Sequence, residues 1–268
     1  MKKLKSFICV TLAVLSLGIL GAWAPTNAVS SDYRYADVQM YSLYATETVS
    51  FDTKDRITNA NSAPLYTVIS GLTNACGAVA GSEVIAYYDK YYPDMIPDWE
   101  SFYAASGKFR PQDKVHIPSV MNELYILMRT NINGAGVGES DFLNGLTQYI
   151  QNRGYGVNMQ NAVSGTSVDY TACKNAIDNS KVIALLTRPV DLYVMAESST
   201  QDRISTITIP DYHIMIASGY KEVKYYENGS LFRTDRYLLV STGLQGGGNA
   251  YYKINNHKLN GAYIVNIT

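Results

Sequence analysis

The sequence has little cysteine: three residues in 268, of which Cys9 falls inside an N-terminal apolar run. The two remaining thiols, Cys76 and Cys173, cannot build a disulfide framework, so folding has to rest on a buried core. Charge is sparse as well, at 17% of residues, and nearly balanced, with 22 Lys+Arg against 23 Asp+Glu. Beyond residue 5 there is no basic run, which argues against nucleic acid as the main partner. Heptads, a Gly-X-Y period, internal repeats and low-complexity tracts are all missing, so fibrous and solenoid classes are excluded. Metal-ligand patterns are missing too: no CxxC, no HExxH and no His pair at helical spacing, so neither metal nor cofactor is expected. Gly134-Ala-Gly-Val-Gly138 follows no strand pattern and reads as a flexible loop, not a phosphate cradle. No pair of carboxylates is singled out by spacing, which leaves glycosidase chemistry without a foothold.

What is present is apolar and aromatic. Apolar residues make up 47% of the chain, enough for a sizeable core, and Tyr is in excess, 23 against 6 Phe and 2 Trp. Residues 1–28 read as a secretory signal. Lys2, Lys3 and Lys5 form the basic start, residues 7–24 (FICVTLAVLSLGILGAWA) the apolar run, and Pro25-Thr-Asn-Ala28 a small-residue cleavage site. The competing reading is an uncleaved anchor, against which stand the Ser, Thr and Gly within the run. The mature chain is therefore expected to be exported, with no membrane contact after signal removal. Residues 29–72 are rich in Tyr, Ser and Thr with weak periodicity, and read as an N-terminal extension, pro-region or extra edge element. Residues 73–268 form the main domain.

Residues 76–92 (CGAVAGSEVIAYYDKYY) carry helical periodicity with one charged intruder, Glu83, and are closed by Pro93. The small residues Ala75, Gly77, Ala78, Ala80 and Gly81 cost helix propensity and imply close packing against neighbours. Further helices are predicted near 118–129, over 141–153 after Ser140 and before Gly154, and over 170–178. Short β-branched and aromatic runs follow at 181–187, 212–220, 237–242, 250–254 and 262–267. A hairpin about Asn228-Gly229 joins them. Helices first and antiparallel strands second predict an α+β domain. Asn228-Gly-Ser230 and Asn266-Ile-Thr268 match glycosylation sequons, the first already explained as a turn.

Cys76 stands at the start of the predicted helix. Exposed N–H groups and the positive end of the helix dipole favour thiolate there and can also receive an oxyanion. The alternative is a packed structural thiol. A thiolate needs a base, and there are only three histidines. His116 lies in a polar loop and His257 in a polar stretch, whereas His213 stands inside an apolar strand that would fix its ring. Its imidazole either bonds backbone or pairs with Cys76. For a third member orienting the imidazole, Ser241, Thr242, Gln245 and Asn249 are within the following strand and turn. Asp211 shares a strand face with His213 by alternation, without being made its partner.

The order of these segments resembles papain-like cysteine peptidases, specifically the bacterial C39-like and streptopain-like groups. Asn74-Ala-Cys-Gly-Ala-Val-Ala-Gly-Ser-Glu-Val-Ile-Ala-Tyr-Tyr88 looks like their nucleophile helix. Residues 176–185 resemble the helix-turn-strand that leads to the His. Tyr212-His-Ile-Met-Ile-Ala-Ser-Gly-Tyr220 looks like the His strand, and residues 240–252 like the last catalytic segment. The resemblance implies a papain-like architecture, an N-terminal helical half whose nucleophile helix packs on a C-terminal antiparallel sheet. It also implies Cys76 as nucleophile and His213 as general base and then acid, acting on a peptide or protein substrate. The family's Asn or Asp falls where Ser241 stands, and Trp where Leu244 stands. The Gln that completes the oxyanion hole has no clear counterpart, with Asn74 as its substitute. The functional expectation is a secreted cysteine peptidase. A cell-wall amidase or transpeptidase using the same dyad is the enzymatic alternative. A catalytically inactive binding protein with a Tyr-rich exterior is the alternative from another class.

Overall fold

A computed structural model describes residues 43–244, 248–254 and 259–268. The expected signal segment 1–28, the extension up to residue 42, Gln245 and His257 lie outside these residues. The strands in chain order are β1 (Leu43–Ser50), β2 (Thr53–Ala60), β3 (Phe102–Tyr103), β4 (Lys108–Phe109), β5 (Val157–Asn161), β6 (Val163–Ser164), β7 (Ser167–Val168), β8 (Ile183–Thr187), β9 (Val190–Glu197), β10 (Gln201–Ile209), β11 (His213–Glu227), β12 (Ser230–Ser241), β13 (Asn249–Lys253) and β14 (Leu259–Ile267). The helices are α1 (Cys76–Asp89), α2 (His116–Leu127), α3 (Glu139–Asn152) and α4 (Tyr170–Asp178).

Ten strands form one antiparallel sheet in the order β1-β10-β9-β13-β12-β11-β8-β14-β5, with β2 paired to β11 off this path. The expected papain-like division, a helical half packed on a C-terminal sheet, is therefore not what forms. The sheet begins before the first helix, runs through the whole described chain and dominates it. Two stretches carry the difference. Residues 43–60 contribute β1 against β10 and β2 against β11. The hairpin of β9 and β10, residues 190–209, was absent from the predicted strands and supplies eight paired positions. Both stretches are rich in Thr, Asp and Arg, so their apolar periodicity is weak. Ion pairs contribute to holding them: Lys54 to Asp202 at 2.6 Å, Arg56 to Glu197 at 2.6 Å, and Lys221 to Glu197. Tyr225 also donates to Asp202 at 3.1 Å.

β11 is the spine. Its first residues, 213–217, pair with β8 on one edge, and residues 219–226 pair with β2 on that same edge. β12 runs along the other edge, joined through Asn228 and Gly229, whose φ values of 50° and 74° are the left-handed pair a tight hairpin needs. β8 (IALLT) is buried at every position because both sheet faces are covered. Ala184 and Leu186 enter the cluster beneath α1, α2 and α3, while Ile183 and Leu185 enter the opposite cluster with Cys173 and Ile177 of α4.

α1 is buried from Gly77 to Asp89, all round and not along one stripe. Its glycines make this possible. A Cβ on Gly77 would meet Val137 Cγ1 at 2.5 Å, and one on Gly81 would meet Met128 Cε at 2.9 Å. Part of the tyrosine excess is likewise internal. Tyr66, Tyr87, Tyr88, Tyr149, Tyr220, Tyr225, Tyr237 and Tyr252 are all buried. Several send their hydroxyl to a backbone carbonyl: Tyr87 to Ser180, Tyr88 to Val265 and Tyr149 to Met95. In these positions Tyr is a core residue whose polar end reaches loop and edge carbonyls, while Tyr91, Tyr103 and Tyr212 remain exposed.

One contact gives a direct test of this packing. A Cβ on Gly145 of α3 would lie 2.7 Å from Met128 N and 2.8 Å from Leu127 C, both backbone atoms that cannot rotate away. Gly145→Ala, which ordinarily favours a helix, is expected to destabilise the protein by about 1–3 kcal/mol. Urea denaturation followed by circular dichroism measures the change. An unchanged or raised midpoint would refute the close approach of α2 and α3.

Candidate active site

The chain places Cys76 at the first residue of α1 and His213 at the first residue of β11, and their side chains are hydrogen-bonded to each other. The small residues of α1 let the helix end sit close over the sheet: Ile214 Cδ1 would be 3.5 Å from a Cβ on Gly77. Cys76 stays partly open to solvent, whereas His213 is only 7% exposed.

The other side of the imidazole is fixed by backbone. His213 Nε2 lies 2.7 Å from the carbonyl oxygen of Thr242. A carbonyl can only accept, so Nε2 carries a proton and Nδ1 is the nitrogen left to face the thiol. This is the tautomer a base needs. Thr242 is itself clamped, because its amide and its hydroxyl both donate to Gly248 O, each at 3.1 Å. Gly243 follows at φ +65°, where a Cβ would come to 3.0 Å from Val79 Cγ1 of α1.

Burial alone would push the Cys76 thiol up. The hydrogen bond and charge of His213, with the backbone N–H groups of Ile214 and Gly77 aimed at the sulfur, outweigh it and bring the thiol below its ordinary value. For His213 burial works downward, and Cys76 together with the Thr242 carbonyl turns the net shift upward. The two shifts bring the proton affinities of thiol and imidazole towards each other, the direction that favours a thiolate–imidazolium pair. Cys173 is the contrast: burial, then the charge of Asp169, push its thiol up to about 12.

Two expected site residues take other roles. Ser241 does not reach the imidazole. Its hydroxyl donates to Glu83 Oε1 at 2.5 Å, beneath α1. The orienting acceptor is the next residue's carbonyl, a backbone atom that residue-type reasoning has no means to single out. Asn74 lines the cleft at φ +53°, but its amide nitrogen donates to Asn131 Oδ1 at 3.0 Å. One of its two amide protons is thus committed to the wall of the cleft. Asn131, absent from the sequence-based expectations, organises this wall. Its Nδ2 donates to Tyr125 Oη at 2.7 Å and to Thr73 O at 3.1 Å, and its Oδ1 accepts from Gly136 N at 2.7 Å. His116 is engaged elsewhere, with Nδ1 2.7 Å from Asp113 Oδ2 and its ring stacked on Trp99. Asn249 is exposed at the start of β13.

Cys76 and His213 open into a cleft of about 940 Å³. One wall is the Gly134–Gly138 loop, Asp211 and Tyr212 stand near His213, and Val68, Leu72, Ile209 and Leu244 give it apolar surface. Among the described residues no group of three His, Cys, Asp or Glu side chains converges to hold a metal ion.

Glu83 lies under this site, fully buried. Desolvation raises its carboxyl to about 8, against the opposing hydrogen bonds from Ser241 and the Tyr66 amide. A carboxyl that keeps its proton in the folded state, while the unfolded chain releases it near 4.5, makes stability fall as pH rises between those values. The loss follows from about 1.4 kcal/mol per pKa unit and amounts to a few kcal/mol by pH 8. Denaturation across pH 4.5–8 is expected to show this decline in the wild type and a flatter profile in Glu83→Gln. Parallel profiles would show that Glu83 is ionised when folded.

No protein-family model matches the chain, and none of the curated proteins does.

Proposed function

We propose that the protein is an exported thiol hydrolase that cleaves peptide bonds through Cys76 and His213. The observation that carries this reading is a partly accessible thiol bonded to a buried imidazole whose far nitrogen is locked to the Thr242 carbonyl. A merely structural cysteine needs none of these, and Cys173 has none. The order of motifs, similar to that of C39-like and streptopain-like peptidases, supports the same chemistry.

The steps follow from the geometry. The Cys76 thiolate attacks a carbonyl carbon, and the developing oxyanion is received at the start of α1, where first-turn N–H groups have no intrahelical acceptor. His213 passes its Nδ1 proton to the leaving amine, the C–N bond breaks, and a thioester remains on Cys76. A water molecule, deprotonated by His213, then cleaves the thioester and releases the acid. The Thr242 carbonyl holds Nε2–H throughout, in the place a carboxamide or carboxylate would hold. A cleft of about 940 Å³, walled on one side by the glycine-rich Gly134–Gly138 loop, suits an extended peptide whose backbone can approach the loop at its glycines. The basic and apolar start of residues 1–28 supports export.

Residues 29–268 are expected to hydrolyse casein, and Cys76→Ala to lose at least about 10³-fold in rate. Iodoacetamide is expected to label Cys76 and leave Cys173 unmodified. Because the thiol is lowered and the imidazole raised, kcat/KM is expected to rise with pH through a value below the ordinary thiol's 9.0. It should fall through one above the ordinary imidazole's 6.5. Release of wall stem peptides with casein untouched would redirect the reading to a cell-wall amidase. Equal labelling of both thiols would contradict it.

A further inference from the structure

Glu83 is the one charged residue type in α1 whose chemistry the mechanism above leaves unused up to its last turn. It is 0% exposed, its Oε2 has no hydrogen-bond partner among the described residues, and its Oε1 accepts from two donors, Ser241 Oγ at 2.5 Å and Tyr66 N at 2.9 Å. Such a group is costly. An apolar side chain of similar volume would pack this helix without desolvating a carboxyl.

Its position gives the cost a use. Glu83 follows Cys76 by seven residues, two helical turns, so both lie on nearly the same side of α1. Ser241 immediately precedes Thr242. Nucleophile helix, imidazole and the end of β12 are thus closed into a ring: Cys76 to His213, His213 to the Thr242 carbonyl, Thr242 through the chain to Ser241, and Ser241 back to α1 at Glu83. A peptide carbonyl has no side chain of its own to anchor it. Its direction is set by the residues on either side, and Ser241 on one side and Gly243 against Val79 on the other are both referred to α1. The Tyr66 amide holds Glu83 Oε1 from the third direction.

We propose that Glu83 and Ser241 are positioning residues, which aim the Thr242 carbonyl at His213 Nε2 and so keep Nδ1 directed at the Cys76 sulfur. The inference rests on the thiol-hydrolase reading and adds to it the part played elsewhere by a side-chain carboxamide. Neither residue lines the cleft, so substrate binding does not depend on them directly.

The test is the pH profile of Cys76 alkylation in full-length mature protein, read with iodoacetamide and mass spectrometry, alongside kcat and KM on a casein-derived peptide. The wild type is expected to alkylate with a midpoint below that of an ordinary thiol. Ser241→Ala is expected to move this midpoint up towards the ordinary value. It should lower kcat by about tenfold or more, within the ~10²-fold that a 1 Å misplacement can cost, with KM changed less than threefold. Glu83→Gln retains the Oε1 acceptor and is expected to keep the wild-type midpoint, while Glu83→Met, of similar volume, is expected to behave as Ser241→Ala. Should Ser241→Ala not fold, Glu83→Met reads the same bond from its other end. Wild-type midpoints in folded Ser241→Ala or Glu83→Met would overturn the positioning role and leave the hydrolase reading standing. An ordinary thiol midpoint in the wild type itself would overturn the hydrolase reading, and the positioning role with it.

Discussion

The bond from His213 Nε2 to the carbonyl of Thr242 determines what the site can do. Without an acceptor there, the imidazole is free to place its proton on either nitrogen and to turn away from the sulfur. With it, the proton is committed to Nε2, and Nδ1 faces Cys76 as a base. Dipole strength matters less than direction for this purpose, and a main-chain carbonyl gripped through its neighbours can be held as rigidly as a carboxamide. Two hydrogen bonds from Thr242 to Gly248 O, a glycine wedged against Val79 and the bond from Ser241 to Glu83 provide that grip.

The fold supplies the two fixed ends that this bond connects. β11 is hydrogen-bonded along both edges from Ile216 onward, with β12 on one and β8 and β2 sharing the other, and its first residue, His213, is held by pairing with Thr187 of β8 and by the bond to Thr242 O. α1 is enclosed on every side, and its glycines let Val137, Met128 and Leu124 approach its backbone. The thiol and the imidazole therefore meet across the seam between a buried helix and a largely buried strand. What remains open is the cleft, where a loop of small residues and a few apolar side chains leave room for a peptide.

Much of the site was legible in the sequence because its signals are local. A cysteine after Asn74-Ala75 at the head of a small-residue helix, and a histidine flanked by Tyr212 and Ile214 in an apolar run, can each be singled out as a candidate within a few residues. The hairpin at Asn228-Gly229 and the helix at 170–178 were legible for the same reason. The sheet was not, because β1, β2 and β10 spend many positions on polar residues such as Thr, Asp and Arg, and the membership of these strands and of β9 is decided by partners far along the chain. Thr46 sits against Ser205, for instance, and Lys54 against Asp202. Ser241 illustrates a different limit. Its place in the sequence pointed to the right turn of chain, but the acceptor is the carbonyl of its neighbour, and Ser241 itself faces Glu83. The tyrosines show a further limit, since an amphipathic residue counted in a composition does not say whether its hydroxyl meets water or a buried carbonyl, and this chain has both kinds.

Nitrogen-15 NMR of histidine-labelled protein tests the central claim most directly, because it reports the protonation of each nitrogen of His213. At neutral pH the ring is expected to be imidazolium in the presence of the free Cys76 thiol. On alkylation of that thiol it is expected to become neutral with its proton on Nε2. A proton on Nδ1, or a His213 spectrum indifferent to alkylation of Cys76, would contradict the account.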